Sequence, residues 1–329
     1  KWLLRESSNF KVAQNLENKL VSASHKWINF LDQFKNEDLP KIAFIFNGYT
    51  FPEAIIKSYL EKKGVKVLTY ESGFLENSIF VTDKYAPELF FNYKKRSLTS
   101  SEKEKLKIYV ERRKKGNFDR AGTSFWNEIT ELSEEYKDYF SNYRKVVSVF
   151  LNVPFDTSQE SSNKLFENMY HWVEYLKLIV QKNKEILFIF RSHPDELRVD
   201  KPSNYPINKY IKKLGINEFN NVLSFDSSSS VNSYDLIEYS DLVLSYNSTI
   251  SLEAFYLKTN VINAGFSHFA RVPYYELPKN IESYEDKINF YLKNNDIDLE
   301  QYQEVESYFY QLIFESSIDL SGYVENAIT

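Results

Sequence analysis

The sequence predicts an α/β protein with two domains, each built around a parallel sheet. Its 329 residues are too many for one ordinary core and suit two domains of about 100 to 200 residues. Strand, helix and strand follow one another at 42–70, which is a βαβ unit. A second alternating series begins near residue 145. The charge-rich stretch 101–143 separates the two series, so we predict domains at 1–140 and 141–329.

The first domain begins with a helix and one βαβ unit. Apolar residues recur at helical spacing over 10–35. The run IAFIF at 42–46 predicts a short buried strand. Pro52 and Gly64 lie near the two ends of the next helix, and the second strand follows at 65–70. The chain starts without Met, so we expect a fragment that lacks the first elements of this domain.

The second domain shows the same alternation over a longer stretch. Apolar runs predict strands at 146–151, 185–190, 221–225, 242–246 and 260–265. Helical patterns lie at 160–183, 208–215, 233–240 and 249–258, with terminal helices over 283–319. Ser233 is a plausible N-cap of one of these helices.

Small or polar residues follow one strand after another. In open parallel sheets, ligands bind outside the carboxyl ends of the strands, near the point where the strand order reverses. The series therefore predicts that these strand-end residues line the two sides of a cleft between the domains. In the first domain the strand-end residues are Asn47, Gly48, Glu71 and Gly73. In the second domain they are Asn152, Arg191, Ser192, His193, Pro194, Ser245, Asn247, Ser248 and Thr249.

The motif RSHP gives the clearest candidate for chemistry. His193 comes directly after an apolar strand, and Pro194 restrains its backbone to an extended conformation. The imidazole can then donate a hydrogen bond to a phosphate, and Arg191 can do so with two nitrogens. A structural histidine in a turn is the alternative. Asp195 and Glu196 open the next segment or hold Arg191, and we do not assign them a catalytic role.

The stretch SYNST, about 55 residues later, forms a second half-site. Ser248 or Thr249 would cap the helix that follows, and the free amides of its first turn attract anions. A nucleotide phosphate fits this position. An ordinary helix cap is the alternative.

In the first domain, Glu71 lies at a strand end within YESG. A carboxylate across a cleft from a nucleotide site suits a general base that deprotonates an acceptor hydroxyl. The alternative is a surface acid before a turn glycine.

Composition and missing motifs exclude several classes. The net charge of −5 argues against a duplex nucleic-acid partner, and the absence of cysteine fits a cytoplasmic location. No apolar run is long enough to span a membrane. The sequence has no P-loop, GxGxxG, HExxH or GxSxG motif. No acidic pair stands at a strand end, so we expect no required metal ion and no other cofactor.

The motifs together resemble a known family. YESGFLENSIFVTD, NVPFDT, FRSHPDE and SYDLIEYSDLVLSYNSTISLEAFYLKTNVINAGFSHF cover about residues 40–275. They resemble bacterial capsule polysaccharide biosynthesis proteins, the group that includes the Kdo transferases. The HP and Ser/Thr elements are also similar to those of bacterial sialyl- and polysialyltransferases. The sequence departs from the family pattern at LKTNV, where Lys258 replaces a glycine, and at ARVPYY.

The resemblance implies a GT-B fold, in which two Rossmann-like domains face a cleft. It implies a donor in the C-terminal domain, typically a CMP-linked sugar such as Kdo, and an acceptor at the N-terminal domain. By position, His193, Ser248 and Thr249 would contact the donor phosphate. Glu253 would reach the nucleotide, and Glu71 would be the base.

The function expected from the resemblance is a glycosyltransferase of capsule or lipopolysaccharide synthesis. The acceptor would be a glycan or a lipid-linked glycan, with peripheral contact to the inner membrane or to capsule assembly proteins. Two other interpretations stay open: a nucleotide-sugar 2-epimerase, and a non-catalytic subunit that binds a nucleotide or glycan.

Overall fold

The computed structural model describes residues 10–117, 129–156, 158–197 and 202–323. The described residues form two compact units. The first unit contains 10–93 and 311–323, and the second contains 94–117, 129–156, 158–197 and 202–310.

Nine strands and eleven α-helices lie within the described ranges. The strands are β1 (Ile42–Phe46), β2 (Lys66–Ser72), β3 (Ser78–Thr82), β4 (Lys145–Phe150), β5 (Ile186–Arg191), β6 (Val222–Phe225), β7 (Leu242–Ser245), β8 (Asn260–Asn263) and β9 (Ser317–Asp319). The helices are α1 (Phe10–Leu31), α2 (Glu53–Lys62), α3 (Ser100–Lys114), α4 (Glu134–Ser141), α5 (Gln159–Ser162), α6 (Met169–Lys182), α7 (Ile207–Lys213), α8 (Ser233–Glu238), α9 (Ile250–Tyr256), α10 (Ile281–Lys293) and α11 (Leu299–Phe314).

The first unit contains a four-stranded sheet in the order β1-β2-β3-β9. β1 and β2 are parallel, as the predicted βαβ unit requires. β3 and β9 run antiparallel to their neighbours, so the expectation of an all-parallel sheet was wrong for this unit. Helices α1 and α2 cover one face of the sheet, and their apolar core includes Leu31, Ile45, Leu60 and Val67.

Two strands of the first unit were missed in the sequence. β3 lies in the stretch that follows the YESG motif, and β9 lies where the terminal helices were expected to continue. The last helix ends at Phe314, and the chain then returns to pair with β3. β2 extends to Ser72, so Glu71 lies inside the strand and not in the turn after it.

The second unit contains a five-stranded parallel sheet in the order β6-β5-β4-β7-β8. Strands are added first on one side of β4 and then on the other, so the strand order reverses between β4 and β7. Helices α6, α7 and α10 pack on the face that carries Val147, Phe188 and Leu244. On the opposite face, the Ser148 hydroxyl donates to the Leu236 carbonyl of α8 at 3.4 Å. Two Rossmann-like α/β units make a GT-B-like fold, which confirms the predicted class.

Two helical predictions need correction. The single helix expected over 160–183 is divided into α5 and α6, because Asn168 caps α6 by accepting from the His171 amide. Asn232, and not Ser233, caps α8.

The compact units also divide the chain earlier than residue 140. Helix α3 belongs to the second unit, where Arg113 pairs with Glu253 of α9. The residues before α4 belong there as well, since the Leu132 amide donates to Asp235 of α8. The donor and acceptor roles predicted for the two domains remain predictions. No helix within the described ranges combines the length and the apolar character needed to cross a membrane.

Candidate functional site

The strand ends beside the reversal point of the second sheet are joined by side-chain amides. Asn152 follows β4, and Asn247 follows β7. The Asn152 Nδ2 donates to Asn247 Oδ1 at 2.7 Å, and the Gln159 Nε2 donates to the same oxygen at 3.2 Å. The Asn247 Nδ2 donates in turn to Ser158 Oγ at 3.1 Å and Ser162 Oγ at 2.7 Å. Asn247 therefore ties the loop after β4 to the end of β7.

Two of the three hydroxyl residues at the end of β7, Ser248 and Thr249, are less buried than Asn247. Ser245 is fully buried, and its hydroxyl accepts from the Ser248 amide at 3.3 Å. Ser248 and Thr249 are half-buried at the start of α9. Thr249 makes no capping hydrogen bond, and Ser248 Oγ accepts from the Ile250 amide at a long 3.4 Å. Of the two caps that the sequence suggested, Thr249 forms none and Ser248 forms only this long hydrogen bond.

His193 lies at the same edge, beyond β5, which pairs with β4. Pro194 opens a short 3-10 turn, Pro194–Leu197. The Asp195 amide donates to His193 Nδ1 at 3.1 Å, and its carboxylate lies 3.9 Å from the same nitrogen. Because Nδ1 accepts a hydrogen bond, the proton of the neutral ring is assigned to Nε2. The half-buried imidazole can therefore act as a donor.

Arg191 and Ser192 are more deeply buried than His193, which follows them in the chain. The two terminal nitrogens of Arg191 donate to the carbonyls of Asp226 at 2.5 Å and Ser229 at 3.0 Å. Burial lowers the pKa of Arg191 to about 10, so the guanidinium stays charged at neutral pH. The Ser192 amide donates to the Phe225 carbonyl at 2.9 Å. These contacts hold the loop after β6, while contact of Arg191 with a phosphate remains a prediction.

Glu253 lies in α9 with its carboxylate buried. Its Oε1 lies 2.6 Å from Arg113 Nε of α3, and that nitrogen also donates to the Tyr234 hydroxyl at 3.0 Å. Burial acts to lower the pKa of Arg113, but the Glu253 carboxylate raises it and the net shift is well upward. This ion pair links α3 to α9, and the predicted contact of Glu253 with a nucleotide is untested.

In the first unit, the strand-end residues of β1 and β2 meet. Asn47 Nδ2 donates to Glu71 Oε1 at 2.5 Å, and the Tyr49 amide donates to Asn47 Oδ1 at 3.0 Å. Asn47 is buried and has a positive φ of 61°, and Gly48 follows with a φ of 92°. The turn after β1 thus directs an amide at the carboxylate of the neighbouring strand.

Gly73 lies two residues after Glu71, and close packing explains why this position is a glycine. A Cβ atom at this position would lie 2.0 Å from the Ser78 hydroxyl oxygen and 2.9 Å from that of Ser317. The glycine lets β2, β3 and β9 approach one another, and no contact of its own points to a ligand.

Sequence reasoning missed several residues of the second unit's site. Ser158, Gln159 and Ser162 lie in the polar stretch after β4, where the sequence pattern predicts the approach to a long helix. The polar composition of DTSQESSN was the available signal. Glu196 was considered as a partner of Arg191, but its carboxylate accepts from the Ile207 amide and the Ser227 hydroxyl. Within the described ranges, no group of three or more acidic or histidine side chains is placed to hold a metal ion.

No protein-family model matches the sequence, and no curated protein matches it. Several solved structures resemble it at low identity. KpsC of Thermosulfurimonas dismutans, a beta Kdo 2,4 transferase, is 12% identical with a TM-score of 0.49, over 80% of this chain and 78% of that one. A KpsC beta Kdo 2,7 transferase from the same organism is 17% identical with a TM-score of 0.43, over 85% and 78%.

A third structure belongs to a different enzyme class. The UDP-GlcNAc 2-epimerase of Neisseria meningitidis, bound to UDP-GlcNAc, is 14% identical with a TM-score of 0.34, over 92% of this chain and 82% of that one. All three TM-scores are below 0.5. We therefore assign no residue and no activity to this chain from these structures.

Proposed function

We propose that this protein is a glycosyltransferase of capsule or lipopolysaccharide synthesis, of the GT-B type and independent of a metal ion. It would transfer an acidic sugar such as Kdo from a CMP-linked donor to a hydroxyl of a glycan or glycolipid. One observation carries the proposal: a hydrogen bond from the Asp195 amide orients the His193 ring at the carboxyl edge of the parallel sheet, just beyond β5, which pairs with β4 beside the reversal point. Nucleotides bind α/β sheets at this position.

The donor phosphate would lie between β5 and β7. His193 Nε2–H would donate to a phosphate oxygen, and the hydroxyls of Ser248 and Thr249 would add further donors. Negative charge grows on the departing CMP as the sugar bond breaks. Donors that are already in place stabilise the transition state, where this charge has grown, more than they stabilise the ground state. They therefore lower the activation barrier.

The acceptor hydroxyl would be deprotonated by Glu71. Asn47 Nδ2 donates to one oxygen of this carboxylate and orients it. An ionised carboxylate can remove the proton as the acceptor oxygen attacks the sugar carbon. A lipid-linked acceptor would bring the protein into peripheral contact with the inner face of the membrane or with capsule assembly proteins.

Nucleotide binding is the first test. A thermal-shift series with CMP, CDP, UDP, GDP and TDP should show the largest stabilisation with CMP, because a ligand that binds the folded state raises the melting temperature. The donor assignment is wrong if no cytidine nucleotide has an effect. A uridine nucleotide alone would favour the epimerase alternative.

Turnover is the second test. CMP release from CMP-Kdo should fall by about 10- to 100-fold in His193→Ala, since one charge-stabilising donor is lost. His25→Ala is the matched control, because His25 is exposed on α1.

Glu71→Gln should keep CMP binding and lose transfer by about 100-fold or more, while Glu76→Gln, exposed in the same unit, should keep both. Unchanged transfer in Glu71→Gln would refute the assignment of the base.

A further inference from the structure

We propose that Glu196 is a positioning residue for His193. Its buried carboxyl group ties the turn that carries His193 to two other segments of the second unit and so fixes the direction of the imidazole. The inference rests on the proposed function of His193, and it gives a role to a side chain that does not itself contact a substrate.

The first argument is the place of Glu196 in the fold. It lies in the turn Pro194–Leu197, and its side chain is fully buried. One oxygen accepts from the amide of Ile207, the first residue of α7, at 2.9 Å. The other accepts from the Ser227 hydroxyl, in the loop after β6, at 3.0 Å. The carboxyl group thus joins three segments that are separate in sequence.

The second argument is that the end of β6 and the loop after it support His193 from both sides. The Ser192 amide donates to the Phe225 carbonyl at 2.9 Å. Glu196 holds Ser227 on the other side of the histidine. Arg191 stiffens the loop between these points, since it donates to carbonyls before and after Ser227. Loss of Glu196 therefore removes one of the two supports of the histidine turn.

The third argument is that the ring direction depends on the turn. The Glu196 amide donates to the His193 carbonyl at 3.2 Å, and the Asp195 amide donates to His193 Nδ1 at 3.1 Å. Both donors belong to the backbone of the turn that the Glu196 side chain holds. If this turn opens, Nδ1 loses its donor and Nε2–H changes direction.

Burying an acidic side chain costs free energy, and the protonation state of the buried carboxyl group depends on its surroundings. Burial raises the pKa of Glu196 to about 7, although the hydrogen bonds from Ile207 and Ser227 act to lower it. Charged or titratable side chains on the packed segments are Arg191 of β5, His193 just before the turn, Asp195 within it, Asp226 after β6, and Lys209, Tyr210, Lys212 and Lys213 of α7. None of them is among the causes of this shift.

The raised pKa sets the sign of the pH dependence. The contribution of Glu196 to stability is complete below its ordinary pKa of 4.5, and it is lost as the pH rises through about 7. Glu196→Gln keeps the shape, with an oxygen to accept from Ile207 and an amide to donate to Ser227, but it cannot titrate. The melting temperature of this variant, minus that of the wild type, should therefore rise between about pH 5 and about pH 7.5.

The direction of the ring is read from the His193 Cε1–H signal in an NMR spectrum, which His193→Ala assigns. Glu196→Gln should leave this signal in place. Glu196→Ala should shift or broaden it, and Ser227→Ala, which removes one of the two donors, should shift it less in the same direction. If Glu196→Ala does not fold, Ser227→Ala carries this test.

Glu185→Gln is the matched control for both measurements, because Glu185 is an exposed acid just before β5. It should leave the His193 signal unchanged and give a flat melting-temperature difference. An unchanged His193 signal in the folded Glu196→Ala or Ser227→Ala variant would overturn the positioning role. A melting-temperature difference for Glu196→Gln that does not change with pH would contradict a carboxyl group buried in the turn, and with it the support that this group gives to the turn. Neither measurement needs a nucleotide, so the result stands apart from any failure of CMP to bind.

Discussion

The two sheets of this protein contain strands of similar composition, but they differ in how many faces are covered. β5 is buried along its whole length. In β1, Ile42, Phe44 and Phe46 keep 50%, 61% and 46% of their surface exposed. The reason is that helices pack on both faces of the second sheet, whereas α1 and α2 cover only the face of the first sheet that carries Ile45.

The apolar side of β1 that Phe44 and Phe46 form continues across the first sheet, where most of its residues are half-buried. The strand register places Leu68 and Tyr70 of β2, Ile79 and Val81 of β3, and Ile318 of β9 on the same side as Phe44 and Phe46. The apolar run IAFIF predicted a short buried strand; the strand is present, but only the face that carries Ile45 is buried. An apolar run thus predicts a strand, but the number of covered faces depends on elements elsewhere in the chain.

The sharpest test of this difference is a pair of Phe→Ala substitutions. Phe188 of β5 is completely buried, so Phe188→Ala should lower the free energy of unfolding by about 3 to 5 kcal/mol. Phe44→Ala removes a ring that is mostly exposed, and we expect less than about 1 kcal/mol. Urea unfolding of both variants measures the two losses. Equal losses would contradict an uncovered face on the first sheet.

The carboxyl edges of the two sheets differ in a second way. The first edge is shaped by the backbone, with positive φ angles at Asn47 and Gly48. The second edge is shaped by side chains, because the Asn247 amide both accepts from and donates to the loop after β4. Substitutions should therefore act through unsatisfied hydrogen bonds at the second edge and through backbone strain at the first.

At the second edge, Asn247→Ala should lower the free energy of unfolding by about 2 to 3 kcal/mol. The loss comes from polar groups that lose the Asn247 side chain as their partner, among them Asn152 Nδ2 and the buried Gln159 Nε2. Asn294→Ala is the control, since its Nδ2 makes an exposed bond to the Phe290 carbonyl and should contribute about 0.5 kcal/mol. Chemical denaturation of both variants measures the two losses of free energy. Similar losses would show that the hydrogen bonds of Asn247 contribute no more to stability than an exposed one.

These contrasts also show what the sequence could predict. Local patterns were sufficient for the strands of the second sheet and for the polar residues at their carboxyl ends, because a buried strand and its exit are read within about ten residues. The hydrogen bond between Asn47 and Glu71 was not itself predicted, although the βαβ unit brings the carboxyl ends of its adjacent parallel strands to one edge.

What the sequence did not predict depends on contacts between distant segments. β9 is recognised as a strand only through its pairing with β3, more than 200 residues earlier. Glu196 was expected to open the next segment or to hold Arg191, but its carboxylate accepts from the hydroxyl of Ser227, 31 residues away. The hydrogen bonds of Arg191 to carbonyls of the loop after β6 were not predicted either, and its contact with a phosphate stays a prediction.

The smallest expected difference concerns two glycines of the first unit. Gly48 and Gly64 both have positive φ, 92° and 82°, so alanine strains the backbone at either position by about 1 to 2 kcal/mol. At Gly48 a Cβ would also lie 2.7 Å from Thr69 Cγ2, whereas no atom lies within 4 Å at Gly64. Thr69 cannot turn away easily, because its buried hydroxyl donates to the Lys84 carbonyl at 2.9 Å.

Gly48→Ala should therefore be less stable than Gly64→Ala by about 1 to 2 kcal/mol, the usual cost of an added methyl group in a filled space. Urea unfolding of the two variants, in parallel with the wild type, gives this difference directly. Thr69→Ser removes the methyl group that the Cβ of the Gly48→Ala variant would meet, so in that background the two alanine variants should lose similar free energy. If the difference persists without the methyl group, backbone strain alone controls the first edge and the contact with Thr69 contributes nothing.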